Sequence, residues 1–408
     1  MLAVRTKKAL LLGSAVIAVV AVAALVWLGR GPDRLPYITP AGIQKLAFYD
    51  KQIKIQQSQG AARRTDLDYA VALAMALLDR AKISGDGRDF DNATAIINDA
   101  EALIATRTRT EEGATRLPEL FVMRARILAA RHRFLEAREV AEKALAKYPG
   151  VTELAGIAGE ACVQAGDLNS GEAYLRKLVA SENRVANNLI GLAYWAEISG
   201  DLEQAAELLA RAPEVKFPKP LPRLRLAYVH AVQGDVQSKL GNLKAAQAYY
   251  EESLRNEPTF AQARAGMADL LQYQGKNDEA EAILRSLVET EWPNADYQVK
   301  LATLRERQGD AEEAKRLQRA AEKYYEWSVD SGFEGYLRPL ATLKLAHGEY
   351  RAAAKYAARD LALRPNKESR AIYQNIYNTA QKAGDPLREN ALDSIKADTT
   401  VIRTPSGR

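Results

Sequence analysis

The chain has 408 residues, of which 47% are hydrophobic and 27% are charged, and its formal net charge is +5 at pH 7. Basic and acidic residues are interleaved, so this small positive balance gives no argument for a nucleic-acid partner. The single cysteine, Cys162, excludes an intramolecular disulfide and a CxxC metal site. We expect Cys162 to be a small buried packing residue.

The N-terminal end predicts a membrane anchor. Residues 1–8 form a basic flank, and residues 9–29 (ALLLGSAVIAVVAVAALVWLG) contain no charged side chain. As a helix with a rise of about 1.5 Å per residue, this stretch is roughly 31 Å long, which matches a hydrocarbon core of about 30 Å. A cleaved signal peptide is the alternative, because Ala21, Val22 and Ala23 resemble a cleavage site. The apolar run continues beyond that site, which favours an uncleaved transmembrane helix.

Basic residues flank this segment on both sides, and they favour a cytoplasmic N-terminus only slightly. Long domains cross membranes largely regardless of their charge, so we expect the remainder of the chain outside the cytoplasm. An array that faces the cytoplasm is the alternative.

Residues 30–65 predict a spacer followed by one helix. Prolines at positions 32, 36 and 40 make the first part extended. Apolar residues at helical intervals between Ala41 and Gln59 predict a partly amphipathic helix. Residues 66–83 and 91–105 then predict a divergent helix pair, with the sequence GDG in its turn. The polar residues 106–116 are expected to form a mobile loop.

The region 66–397 is built on a repeating pattern. Its clearest unit, Ala261 to Pro293, carries small residues at its eighth and twentieth places, Ala268 and Ala280, and ends on a proline. Two helices joined by a tight turn, with small residues where the backbones cross, are the simplest physical interpretation. Regular units cover residues 118–366, and they open at Pro118, Thr152, Ala186, Ala227, Ala261, Ala295 and Glu334.

Three segments depart from the regular units. Residues 213–226 contain four prolines and four basic residues, which predict a spacer that bends the array, with a basic contact loop as the alternative. Residues 368–397 lack a small residue at the twentieth place, where Leu387 lies, and are typical of a polar capping pair. Residues 398–408 are expected to form a disordered tail.

Glycine–aspartate pairs recur between the predicted helices. We interpret each pair as the C-cap of one helix followed by the N-cap of the next, rather than as a metal site. The pairs are Gly166–Asp167, Gly200–Asp201, Gly309–Asp310 and Gly384–Asp385.

The 34-residue unit resembles the tetratricopeptide repeat. The resemblance implies an all-α, right-handed solenoid of about eight to nine helix pairs behind a single N-terminal transmembrane helix. With this anchor, the chain is similar to bacterial membrane-anchored tetratricopeptide proteins, which act as scaffolds in envelope assembly, secretion, lipopolysaccharide control and cytochrome maturation. Two subfamilies do not fit. The chain lacks the four-cysteine knuckle of an anchored lipopolysaccharide regulator and the Lys and Asn residues of a carboxylate clamp.

The sequence gives no indication of catalysis. The three histidines, His132, His230 and His347, lie in different repeats, and no HExxH, phosphate-binding loop or GxSxG motif is found. Carboxylates on helices of alternating charge usually form a solvated face. We therefore predict a protein that is not an enzyme and that holds no metal and no cofactor.

The resemblance also implies a binding surface. In this family the first helix of each pair lines the concave groove, and its second, fifth, ninth, twelfth and thirteenth places point inward. Here the middle of the groove is expected to be acidic and amide-rich, which suits an extended or helical peptide. The candidate groove residues are Arg126, Glu160, Gln164, Asn187, Tyr194, Asp235, Lys239, Gln262, Asp269, Gln272, Tyr273, Arg307 and Arg338.

Two functions are consistent with these features. The first is a membrane-tethered scaffold or adaptor that binds protein partners through the groove in envelope assembly or export, with its array in the periplasm beside the inner membrane. The alternative is a structural subunit of a larger membrane complex that uses its anchor and convex faces. A nucleic-acid partner is not expected, because the basic residues form no stripe with aromatic spacing. The partner and the oligomeric state are left open.

Overall fold

The structure is a computed structural model that describes residues 39–60, 67–107, 111–180, 186–213, 222–385 and 387. These residues form eighteen α-helices, one short 3-10 helix and no strand. Helices that follow one another in the chain pack against one another along the whole array. The prediction of an all-α solenoid is therefore confirmed.

One helix, α1 (Pro40–Gly60), precedes eight helix pairs, and α18 (Lys367–Lys382) follows them. The 3-10 helix Glu334–Tyr336 lies directly before the last pair. In chain order the pairs are α2 (Leu67–Ser84) and α3 (Gly87–Arg107), α4 (Glu111–Ala130) and α5 (Phe134–Lys147), α6 (Thr152–Ala165) and α7 (Leu168–Ala180), α8 (Ala186–Ser199) and α9 (Leu202–Arg211), α10 (Arg223–Lys239) and α11 (Leu243–Asn256), α12 (Ala261–Tyr273) and α13 (Asn277–Thr290), α14 (Ala295–Arg307) and α15 (Ala311–Asp330), and α16 (Leu337–Ala346) and α17 (Tyr350–Leu363).

The turns within the pairs use the predicted glycine–aspartate caps. Gly166 has a φ of 86°, and the amide of Asp167 donates to the carbonyl of Cys162, which closes α6. The Asp167 carboxylate then accepts a backbone amide in the first turn of α7 at 3.1 Å. Asp201 and Asp310 cap α9 and α15 in the same manner.

Small residues are buried where the helices cross. At Gly171 an added Cβ would lie 2.6 Å from the Val163 side chain, so a larger residue would force α6 and α7 apart. Cys162 is fully buried, and burial raises the pKa of its thiol to about 12, as expected for a packing residue. Every residue at the twentieth place of a regular unit is buried, namely Ala137, Gly171, Ala205, Ala246, Ala280, Ala314 and Ala353.

Two predicted boundaries are wrong. The loop expected over residues 106–116 is shorter, because α3 extends to Arg107 and α4 already begins at Glu111. Acidic residues in a first helical turn favour such an early start. The insertion expected over residues 213–226 ends at Pro222, since this proline is the N-cap residue of α10 and its fixed φ suits a helix start.

Other predicted segments lie outside the described residues. They include the basic flank 1–8, the anchor 9–29, most of the spacer, the tail 398–408 and nearly all of the second half of the capping pair. Within the part of the chain that the structure describes, no helix combines the length and apolar character needed to cross a membrane. The first predicted helix corresponds to α1, and the first half of the capping pair corresponds to α18.

The array curves until its C-terminal part contacts its N-terminal part. The carbonyls of Ser84 and Gly85, between α2 and α3, accept hydrogen bonds from the Tyr324 hydroxyl (3.1 Å) and from Ser328 Oγ (2.6 Å) on α15. The amide of Gly87 donates to Ser331 Oγ at 2.8 Å. We call this contact between residues 84–87 and residues 324–332 the seam.

Further contacts extend the seam in both directions. The ring of Phe90 stacks on Phe333 with centroids 5.6 Å apart, and Arg131 Nε donates to the Gly332 carbonyl at 2.7 Å. Near the start of α1, Lys45 forms an ion pair with Glu291 at 3.0 Å. The N-terminal helices are therefore held against α13, α15 and the residues that follow α15.

The seam requires two residues without side chains. A Cβ on Gly87 would lie 2.2 Å from the carbonyl oxygen of Ser331 and 2.5 Å from the carbonyl carbon of Gly332, both of which belong to the backbone. Gly85 has a φ of 65°, and a Cβ there would lie 2.4 Å from the Tyr324 hydroxyl. The GDG sequence is thus both the predicted turn and the surface on which α15 docks.

We predict that Gly87→Ala destabilises the fold by about 1–3 kcal/mol, because the methyl group would push the two backbones apart. In the middle of a helix without such a contact, the change from Gly to Ala is stabilising by roughly 0.5–1 kcal/mol. A loss of stability in Gly87→Ala would therefore indicate the backbone contact at the seam. Gly150→Ala is the matched control, since no heavy atom lies within 4 Å of a Cβ at that position. Thermal unfolding followed by circular dichroism measures both variants, and equal midpoints would contradict the seam.

Candidate functional site in the concave groove

The inner face of the array contains a groove of about 1080 Å³, which we call the concave groove. Its walls come mainly from five first helices, α2, α4, α6, α8 and α10, with contributions from α5 and α9. First helices line the inside because the second helix of each pair packs behind them. One side of the array therefore presents a continuous surface made by five successive repeats.

Several predicted residues line the concave groove. They occupy the ninth or thirteenth place of their units, and this spacing brings about one or two side chains per repeat to the inner face. The predicted residues that line it are Arg126, Glu160, Gln164, Tyr194, Asp235 and Lys239.

Other predicted residues lie at the margin or elsewhere. Gln262 Nε2 donates to the Asp235 carboxylate at 2.7 Å, which places it at the edge of the groove. Asp269 forms an ion pair with Lys300 at 2.7 Å and is not part of the lining. Tyr273 is 77% exposed. Gln272 and Arg307 are also outside the lining, and the side chain of Asn187 is outside the described residues.

Arg338 was predicted to line the groove from the fifth place of its unit, but it is not part of the lining. The 3-10 helix before α16 shifts the frame, so Arg338 turns toward Asp360, with Nε 2.9 Å from the carboxylate. Arg338 also donates to Ser369 Oγ at 2.8 Å. Since Asp360 is only 1% exposed, this buried network holds α16 to α17 and α18.

Some residues that line the groove were not predicted, although they occupy places of the repeat that point inward. Glu153 and Tyr228 occupy the second places of their units, and Glu197 occupies a twelfth place, all of which are inward positions. Asp79 and Lys82 were also missed, because α2 belongs to the divergent pair that has no clear frame.

The wall of the concave groove carries more acidic than basic side chains. Two lining carboxylates, Glu160 and Asp235, form no salt bridge with any residue that the structure describes. Their charges therefore give the groove a negative excess. The remaining charged side chains of the lining form ion pairs, which are Arg126 with Glu153, Lys239 with Glu197, and Lys82 with Asp79 at 3.7 Å.

Asp235 is held by neutral donors. The Tyr250 hydroxyl donates to its carboxylate at 2.8 Å, and Gln262 donates from the other side at 2.7 Å. Burial raises the pKa of Asp235, and these two hydrogen bonds oppose that rise. The side chain is thus fixed in orientation, and no cation of the described residues forms a salt bridge with it.

Glu160 lies near two residues at the start of α10. It is accessible to solvent, yet the walls of the groove surround it, and the restricted hydration raises the pKa of its carboxyl. The positive charge of Arg225 opposes this rise. The Arg225 guanidinium also lies 5.2 Å from the ring centroid of Tyr228, which shows that a cation can stack on this tyrosine.

The C-terminal helices support the opposite rim of the groove. Asn366 Nδ2 donates to the Gln164 carbonyl, at the end of α6, at 2.8 Å. Burial raises the pKa of Tyr194, and the negative charges of Glu197 and Glu368 add to this rise. Because Glu368 belongs to α18, this influence places the last helix within electrostatic range of the groove.

One cluster elsewhere has the composition of a cation site. Ligand atoms of Glu322, His347 and Glu349 lie within 4.8 Å of one another. However, the ammonium group of Lys344 lies 2.6 Å from Glu322, 2.7 Å from Glu326 and 3.0 Å from Glu349. A protein cation thus already pairs with these carboxylates.

Comparison with known families identifies the repeat in both halves of the chain. Family models described as the tetratricopeptide repeat match residues 122–184 and 239–304. These ranges include helices on both sides of the irregular segment before α10. Among curated proteins, none matches the chain significantly.

Several solved structures resemble parts of the array. A thermophilic tetratricopeptide protein of Thermus thermophilus is 25% identical, and the match covers 46% of this chain and 98% of that one, with a TM-score of 0.40. PilF of Pseudomonas aeruginosa is 18% identical over 53% of this chain and 99% of its own, with a TM-score of 0.42. PilW, a widely conserved type IV pilus biogenesis factor, is 15% identical over 52% and 94%, with a TM-score of 0.43. These low scores carry no conclusion about partners.

Proposed function

We propose that this tetratricopeptide-repeat protein is a membrane-tethered scaffold that binds segments of partner proteins in its concave groove. The observation that carries the proposal is the groove itself, with its volume of about 1080 Å³ and its mixed lining. Repeats of this type generally form extended, non-catalytic surfaces for protein interaction. We propose no catalytic role for the chain.

The lining favours a peptide segment as the occupant. The amide of Gln164 can pair with a peptide backbone, while the rings of Tyr194 and Tyr228 offer rigid apolar contact at low cost in side-chain entropy. The carboxylates of Glu160 and Asp235, which form no salt bridge with a described residue, favour a segment that carries a lysine or arginine side chain. An extended segment suits the groove because it presents both backbone groups and side chains to the wall.

The membrane tether and the location are further parts of the proposal. The charge-free residues 9–29 support an anchor in the inner membrane, with the N-terminus in the cytoplasm. A periplasmic array beside the bilayer fits a role in envelope assembly or export. A scaffold in this position would recruit its partners close to the membrane surface.

We predict that Gly156→Tyr blocks partner binding without unfolding the array. Gly156 lines the groove, and the nearest atom to a Cβ there is Leu178 Cδ1 at an ordinary 3.8 Å, so the added ring enters open space. Gly150→Tyr adds the same ring in a turn where no heavy atom lies within 4 Å of the Cβ. Cross-linking in cells, followed by quantitative mass spectrometry, measures the recovery of each partner.

The expected result is a loss of about tenfold or more in the recovery of groove partners for Gly156→Tyr, and unchanged recovery for Gly150→Tyr. Both variants should keep the unfolding midpoint of the unmodified chain. Equal recovery of every partner from the two variants would show that the concave groove is not the binding surface.

The location has its own test. We predict that a protease added to spheroplasts with intact inner membranes digests a tag at the C-terminus, because the array faces the periplasm. Extraction with alkaline carbonate should leave the chain in the membrane pellet. Protection of the tag until lysis would instead move the array to the cytoplasm, and release by carbonate would rule out the anchor.

A further inference from the structure

A second groove runs along α15 and shares no lining residue with the concave groove. Its volume is about 940 Å³, and we call it the α15 groove. Its walls combine the turn between α13 and α14 with the exposed side of α15. The lining side chains that matter here are Trp292, Gln298, Arg319, Lys323 and Tyr324.

The α15 groove contains an unpaired donor. Trp292 lines it and is only 3% exposed, and its indole N–H has no hydrogen-bond partner among the described residues. The Tyr324 ring packs edge to face against the indole with centroids 5.2 Å apart, which fixes the orientation of the donor. Buried N–H groups are normally paired, and leaving one unpaired costs free energy. A ligand that offers an acceptor would remove this cost.

Cations lie beside this donor. Arg319 and Lys323 are one helical turn apart on α15, both are exposed, and neither forms a salt bridge with any described residue. The other end of the groove is neutralised, because its carboxylates are already paired. These pairs are Asp310 with Arg305 at 2.5 Å, Glu312 with Lys315 at 3.7 Å, and Glu313 with Arg285 at 2.9 Å.

The dimensions of the groove fit an extended peptide. Its lining on α15 reaches from Asp310 to Tyr324, which corresponds to roughly 20 Å at about 1.5 Å per residue. An extended segment of about six residues has the same length, at about 3.3 Å per residue. Trp292 and Tyr324, each 3% exposed, line the end of the groove that carries Arg319 and Lys323.

We propose that the α15 groove binds an acidic segment of a partner protein. A carboxylate of that segment accepts the hydrogen bond of the Trp292 indole and pairs with Arg319 and Lys323. This site differs from the concave groove in its residues and in the sign of the charges that form no salt bridge with a described residue, so the array has two binding surfaces of opposite preference.

The test uses the full chain and two fluorescein-labelled octapeptides of alternating leucine and glutamate, or leucine and glutamine. Anisotropy gives their affinities, and inorganic phosphate serves as a third probe. The variant Arg319→Gln with Lys323→Gln removes the cations of the site. Lys147→Gln with Lys244→Gln removes the same charge from exposed positions on α5 and α11 and is the matched control. The indole N–H resonance of Trp292 is assigned with Trp292→Phe and reports on its hydrogen bond.

The expected result is that the glutamate peptide binds at least tenfold more tightly than the glutamine peptide and shifts the Trp292 resonance. The Arg319 and Lys323 variant should lose at least tenfold in affinity, while the control variant should bind as the unmodified chain does. Equal binding of the two peptides, or an equal loss in both variants, would overturn the site. If inorganic phosphate alone shifted the Trp292 resonance, the proposal that the α15 groove binds a peptide would be wrong.

Discussion

The close approach of two backbones at Gly87 and Ser331 holds the first repeats of this array against α15. In a simple solenoid each repeat contacts only its neighbours, so the ends are free to move relative to each other. Here a hydrogen bond joins residues 244 positions apart, and buried hydrogen bonds from Tyr324 and Ser328 reinforce it. The seam therefore holds α2, which forms part of the wall of the concave groove, and a preorganised wall would lower the entropy lost in the proposed binding.

The seam also connects the two grooves. The Tyr324 hydroxyl donates a hydrogen bond to the Ser84 carbonyl across the seam. The ring of the same residue packs against Trp292 at the wall of the α15 groove. On the other side, Asn366 binds the end of α6, whose residues line the concave groove. Among the described residues, one groove has two carboxylates without a salt bridge, and the other has two cations without one. If both proposed sites bind, the array would hold two chemically different segments at once.

Much of the fold could be predicted from the sequence because its signals are local. Helix pairs, glycine–aspartate caps and buried small residues all repeat at a fixed spacing, and the ninth places of four units led directly to the groove. The seam could not be predicted, because a contact between the GDG turn and α15 has no periodic signature. The prediction that Arg338 lines the groove was wrong, because the regular 34-residue spacing does not indicate the 3-10 helix before α16. The indole N–H of Trp292, which has no partner among the described residues, depends on tertiary packing alone.

Amide hydrogen exchange at Gly87 tests the seam most directly. Gly87 is the first residue of α3, where the amide has no acceptor within its own helix, and its partner in the structure is Ser331 Oγ. Residue-resolved mass spectrometry of the full chain should find this amide protected, and Ser331→Ala should increase its exchange rate. Exchange of the Gly87 amide at the rate of an unprotected amide in the unmodified chain would show that this contact is open, and it would contradict a seam that holds α2 and α3 against α15.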